Sequence, residues 1–200
     1  AGSAWVDIQG ITAHPMSSKG QLLNPILVAH DFIGMLDRGQ TPEFTEKTEG
    51  FVWVNGIQGG PAKCRVSLKL RDHSLKRYEE KKTLIRAIVD CLRVRYPRAK
   101  INLTIEDVYG NIADAIKPEN SACIDMLRRA MEIEHVTVKD IAMRGGTDGS
   151  FISTQGIPTP NYFTGAHNFH SACEFMPMSS WLKSLAVTLR LVELAAGVTK

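Results

Sequence analysis

A chain of 200 residues with 44% hydrophobic and 22% charged content has the balance of a soluble globular protein, sized for one large domain or two small ones. Its formal net charge of +3, spread along the chain, is too mild to imply nucleic acid or an acidic membrane surface. No apolar run approaches the roughly 18 to 20 residues of a membrane span, and the four cysteines lack paired spacing, which together point to a cytoplasmic protein with reduced thiols.

Residues 4–11 read as a first strand, so the chain is expected to open inside a fold rather than on a leader. The loop 12–20 follows and carries His14-Pro15. Asn24 before Pro25 is a helix start, because an Asn side chain caps free N–H groups and proline suits the first helical position. Ile26, Ala29, Ile33 and Leu36 lie at 3-to-4 spacing, and Gly39 ends the helix. A polar connection, 40–50, leads to a second strand starting at Phe51. In residues 64–71, Cys64, Val66, Leu68 and Leu70 alternate with Arg65, Ser67, Lys69 and Arg71, the mark of a half-buried strand paired with the one before it.

Ser74 caps a long helix with Leu75, Tyr78, Ile85, Ile88, Leu92 and Tyr96 on its inner stripe and a solvated basic outer face, stopping at Pro97. Ile101, Leu103 and Ile105 alternate with polar residues to give a fourth strand. The order is βαββαβ, a ferredoxin-like plait in which two helices cover one face of a four-stranded antiparallel sheet. It spans residues 1–111. Many unrelated functions use that plait, and the aromatic signature of its RNA-binding version is absent from the third strand.

Residues 112–200 change texture. A helix with Cys123, Leu127, Ala130 and Met131 inward precedes short strands near 136–143 and 160–163, and a last helix over 179–196 buries Trp181, Leu185, Leu189 and Val192. These elements are part of an α/β layer and cannot complete a sheet covered on both faces.

Chemistry concentrates in two runs. Arg144-Gly145-Gly146-Thr147-Asp148-Gly149 places a planar donor fork beside glycines, which let backbone N–H groups approach a ligand and tolerate positive φ. Downstream, a P-N-x-F-T-G-x-x-N-x-H-x-x-x-E-F pattern runs from Pro160 to Phe175 and puts His170 in a loop. With these runs, with His14-Pro15, and with Leu70-Arg71-Asp72, the whole chain resembles the C-terminal part of the tripeptide aminopeptidases in the dinuclear zinc exopeptidase family.

The resemblance implies a lid or dimerisation domain followed by the C-terminal segment of an α/β catalytic domain, together acting on short peptides through metal-activated water. It implies that His170 is a zinc ligand, that His14 stabilises the oxyanion of the scissile carbonyl, and that Arg71 and Arg144 meet the substrate carboxylate. Gly145, Gly146, Thr147 and Asn168 would help to hold the peptide. A homodimer through the lid is the implied assembly. Each residue has a plainer alternative: a backbone-bonded loop histidine for His170, a solvent-exposed turn histidine for His14, and a strand-end salt bridge to Asp72 or Glu106 for Arg71. Two positions depart from the family pattern, with Met16 where a glycine follows His-Pro and Cys173 where a second histidine is common.

The family's H-x-D segment, Glu-Glu pair and further Asp are not found here, and Glu79-Glu80 lies on a helix among lysines. A catalytic zinc needs about three protein ligands, so the expectation is a portion of a larger enzyme, which alone holds no zinc tightly and is inactive. Related deacylase or carboxypeptidase chemistry, or a non-catalytic self-association module, remains open.

Overall fold

The computed structural model describes residues 1–198. Alternation in the first strand, β1 (Gly2–Gln9), turns Ala4, Val6 and Ile8 into the core, and their antiparallel partners on β3 (Lys63–Arg71) are Leu68, Val66 and Cys64. Strand β4 (Lys100–Asp107) pairs with the other side of β1, and β2 (Phe51–Gly59) with the other side of β3, giving the order β2-β3-β1-β4 with every pair antiparallel. An irregularity between Val54 and Gly56 shifts the β2 register.

Two helices cover one face of this sheet. Helix α1 (Pro25–Gly34) starts where the Asn24 side chain accepts the Ile26 N–H at 3.0 Å, and it ends at Gly34 rather than at Gly39. Its buried face is Pro25, Val28, Ala29 and Phe32, which shares only Ala29 with the expected stripe; Ile26 is exposed and Ile33 and Leu36 pack only at the core margin. The helix is apolar on more than one side, and the bulky Phe32 takes the fully buried position. Helix α2 (Leu75–Arg95) buries Tyr78, Ile85, Ile88, Val89 and Leu92, while Leu75 in its first turn is exposed.

Two lysines of α2 depart from the expected solvated face. Lys81 and Lys82 are buried because each has a carboxylate to meet: Asp72 for Lys81 at 3.0 Å, and Asp107 and Glu79 for Lys82 at 3.1 and 2.7 Å. The first compact unit consists of Ala1–Tyr109 together with Ala142–Gly146.

The second compact unit takes Gly110–Ile141 and the residues from Thr147 onward. It contains α3 (Ile112–Ala115), α4 (Ala122–Ile133), α5 (Asp148–Thr154) and α6 (Met178–Ala195). Its core is small: Leu127, Ala130 and Val187, with Met131, Val136, Tyr162, Phe163, Leu191 and Leu194 packed around them. The strands expected at 136–143 and 160–163 are irregular, since no strand among the described residues lies beside them to complete a ladder. Helix α6 turns Val187, Leu191 and Leu194 inward against α4, so Trp181, Leu185, Leu189 and Val192 are exposed, the reverse of the expected stripe. No helix among the described residues is long and apolar enough to cross a membrane.

Candidate active site

The His14 loop grows from the Gln9 end of β1. Backbone bonds between Ile11 and Leu23, at 3.0 and 2.9 Å, close its neck. The Arg98 guanidinium clamps its far limb by donating to the carbonyls of Gly20 (2.8 Å) and Gln21 (2.7 Å). Inside, Pro15–Ser17 forms a single 3₁₀ turn with His14 at its N-cap: the Met16 N–H donates to His14 Nδ1 at 3.2 Å, and the Ser17 N–H to the His14 carbonyl at 2.9 Å. The imidazole is exposed.

At the other end of the sheet, Gly2 of β1 lies between Leu70 and Asp107, and Phe51 of β2 is the cross-strand partner of Arg71. The Arg71 guanidinium donates to the carbonyls of Gly2 (3.1 Å) and Leu70 (2.8 Å) and sits 5.3 Å from the centre of the Tyr109 ring. Arg144 arrives at this same end. Its guanidinium lies 5.4 Å from the centre of the Phe51 ring and donates to Thr45 Oγ1 (2.5 Å) and the Pro42 carbonyl (3.5 Å). Among the described residues, neither arginine pairs with a carboxylate. The salt bridge considered for Arg71 is not formed, because Asp72 is taken by Arg77 and Lys81.

Arg71 and Arg144 are thus brought together, and His14 is not brought to them. Seven steps along β1 at about 3.3 Å each separate its two ends by roughly 23 Å.

The diglycine differs from its expected conformation. Neither Gly145 nor Gly146 has positive φ. Gly146 is instead required by close approach, since a Cβ there would lie 1.5 Å from the Tyr109 hydroxyl. That hydroxyl is buried with no hydrogen-bond partner. Gly146→Ala is therefore expected to destabilise the first unit by about 1 to 3 kcal/mol through overpacking, whereas Tyr109→Phe, which removes the orphan hydroxyl, should be neutral or stabilising by about 1 kcal/mol. Chemical denaturation of the two variants checks both signs.

In the second unit, Thr147 stands at the N-cap of α5 and its hydroxyl donates to Asn161 Oδ1 at 3.1 Å. His170 lies in a loop closed by the His167–Phe175 bridge, whose rings stack 5.1 Å apart. Asn168 (φ 56) and His170 (φ 63) both take the left-handed conformation that non-glycine residues seldom adopt. Glu174 accepts the His170 N–H at 2.9 Å, and the Asn168 amide donates to the Cys173 carbonyl at 3.2 Å. These bonds hold a strained backbone, a feature that clusters at functional sites, and they leave the His170 imidazole exposed. Asn168 braces this loop and does not orient the ring. No three His, Cys, Asp or Glu side chains gather into a metal site among the described residues. One histidine does not make a zinc centre by itself.

Tyr109 and Thr45 are not visible in the sequence motifs, whereas Glu174 is part of the motif but carries no role there.

Residues 1–100 match the peptidase dimerisation domain of the M20 peptidases. The chain belongs to this family. Relatives of the M20 chain extend beyond that domain. It is 46% identical over 188 residues to a peptidase T-like protein of Yersinia pestis, covering 94% of this chain and 46% of the relative. With peptidase T of Halothermothrix orenii it shares 37% over 196 residues, 98% of this chain and 48% of the relative. The chain spans about half the length of the curated relatives it matches. A tripeptidase structure from Staphylococcus aureus shares the fold at a TM-score of 0.73 and 22% identity, covering 98% of this chain and 51% of that one.

Proposed function

We propose that this M20 chain supplies a lid domain, residues 1–111, and the C-terminal part of a catalytic domain, residues 112–200, to a cytoplasmic zinc-dependent aminopeptidase that acts on tripeptides. The observation that carries this reading is the pair of guanidiniums, Arg71 and Arg144, placed at one sheet end beside Gly145 and Gly146 with no carboxylate partner among the described residues. Planar forks without an anion suit the free C-terminal carboxylate of a short peptide. The peptidase T names of its relatives support the same substrate class. His170 would contribute one zinc ligand, with the others coming from outside these residues, so the chain alone is read as inactive. Steady-state kinetics of the longer polypeptide test the substrate: tripeptides should be turned over, and N-acyl amino acids should not. Efficient release of the acyl group instead would favour the deacylase reading.

The lid is read as a homodimerisation surface through the β2 edge. That edge exposes Trp53 and Ile57, whereas the β4 edge presents Asn102, Thr104 and Glu106 to solvent. Trp53→Lys should weaken self-association at least tenfold, a change of about 1.4 kcal/mol, as read by sedimentation; unchanged association would place the interface elsewhere. In such a dimer, His14 serves the substrate gripped by the arginines of the second copy, because within one chain they stand at opposite sheet ends.

A further inference from the structure

We infer that the Met16 amide selects the Nε2–H tautomer of the neutral His14 ring, making Nε2 a hydrogen-bond donor. A ring nitrogen that accepts a hydrogen bond cannot carry the proton of a neutral imidazole, and His14 Nδ1 accepts from the Met16 N–H at 3.2 Å. The proton is therefore on Nε2.

The sequence His-Pro-Met builds this arrangement. Pro15 has no N–H to compete for Nδ1, and its fixed φ sets the turn that points the next amide back at the ring. His14 itself is extended, at φ −65 and ψ 133, and its carbonyl is held by the Ser17 N–H while Ser18 Oγ donates to the Pro15 carbonyl at 3.3 Å. Main chain and ring are thus tied by separate bonds in one short turn, and the Arg98 clamp steadies the loop around it. The side chain of Met16 is free of this duty: it is 88% exposed. Met16 is a positioning residue through its backbone.

The consequence deepens the peptidase reading, on which the role of Nε2–H rests. An oxyanion is stabilised by a donor already aimed before charge develops. A histidine locked as Nε2–H meets that demand and is unsuited to removing a proton through Nδ1.

The test is ¹⁵N NMR of the histidine-labelled protein at a pH above imidazole titration. His14 should show an unprotonated, pyridine-like Nδ1 and a protonated, pyrrole-like Nε2 as one tautomer. A second sample, Pro15→Gly, loosens the turn and should move both nitrogens toward the averaged values of a free imidazole; the same substitution in the longer, zinc-loaded polypeptide should lower kcat about tenfold at nearly constant KM. A protonated Nδ1, averaged values in the native protein, or identical spectra in the two samples would each overturn the inference. Loss of the catalytic role is a separate outcome: it would appear as full turnover in a protein lacking His14 and would leave the tautomer result standing.

Discussion

Replacing His14 by alanine in the assembled, zinc-loaded enzyme is expected to lower kcat by roughly 10² to 10³-fold, the range for loss of one oxyanion donor. KM should change little, because the proposed carboxylate grip, around Arg71 and Arg144, lies at the other end of the sheet. The separation of these ends makes a sharper test available. Mix His14→Ala protein with Arg71→Ala protein under conditions that exchange subunits. If His14 serves the opposite copy, each mixed dimer holds one intact site, and random mixing under two-fold symmetry restores about a quarter of native activity. If both residues serve one copy's substrate, no site is intact and the mixture stays inactive.

Asp72→Asn is expected to destabilise the first unit by about 3 to 5 kcal/mol, the usual effect of stranding the partner of a buried ion pair. The Asp72 side chain is fully buried, and its carboxylate accepts from the Ser74 N–H (2.9 Å), Arg77 Nε (3.0 Å) and Lys81 Nζ (3.0 Å). The lysine is only 10% exposed, so removing the charge leaves an ammonium with no counter-ion in the interior. Burial pushes the Asp72 carboxyl up, but the Ser74 N–H, Lys81 and Arg77 together outweigh it and hold the group below the ordinary carboxylate range. A group depressed in the folded state contributes stability that is present above its unfolded value and lost as pH falls through its folded value. Asp107, held low chiefly by the Tyr78 hydroxyl and then by Lys82, acts in the same direction. Denaturant unfolding at neutral pH and again well below the usual carboxylate range should therefore show an acid loss in the native protein that shrinks in Asp72→Asn. An equal acid loss in both would remove Asp72 from this account.

The plait was legible because its periodicities are local. Alternation in residues 64–71 and the Ser74 cap need no knowledge of distant partners, and both appear in β3 and α2. The inner stripes of α1 and α6 were not legible, since each helix carries apolar residues on more than one side and the neighbouring element decides which side is buried. Strands near 136–143 and 160–163 failed for a related reason: extended sequence becomes a ladder only beside another strand. In the candidate site, residue types were legible but not their grouping. That Arg144 joins Arg71 through Phe51, and that His14 lies in the loop past the far end of β1, follow from strand order and register, which no motif encodes. The motif accounts for glycine at 146 through close approach of a ligand and tolerance of positive φ, while the group that approaches it is the Tyr109 hydroxyl, contributed from beyond β4.

In the proposed enzyme these residues grip substrate and bring one metal ligand, His170, to a zinc centre completed from outside them. Metal analysis of the purified 200-residue chain after dialysis against trace zinc tests it most directly. Little or no retained zinc is the predicted result. Close to two tightly held zinc ions per chain would contradict it, because the described residues contain no cluster able to hold them.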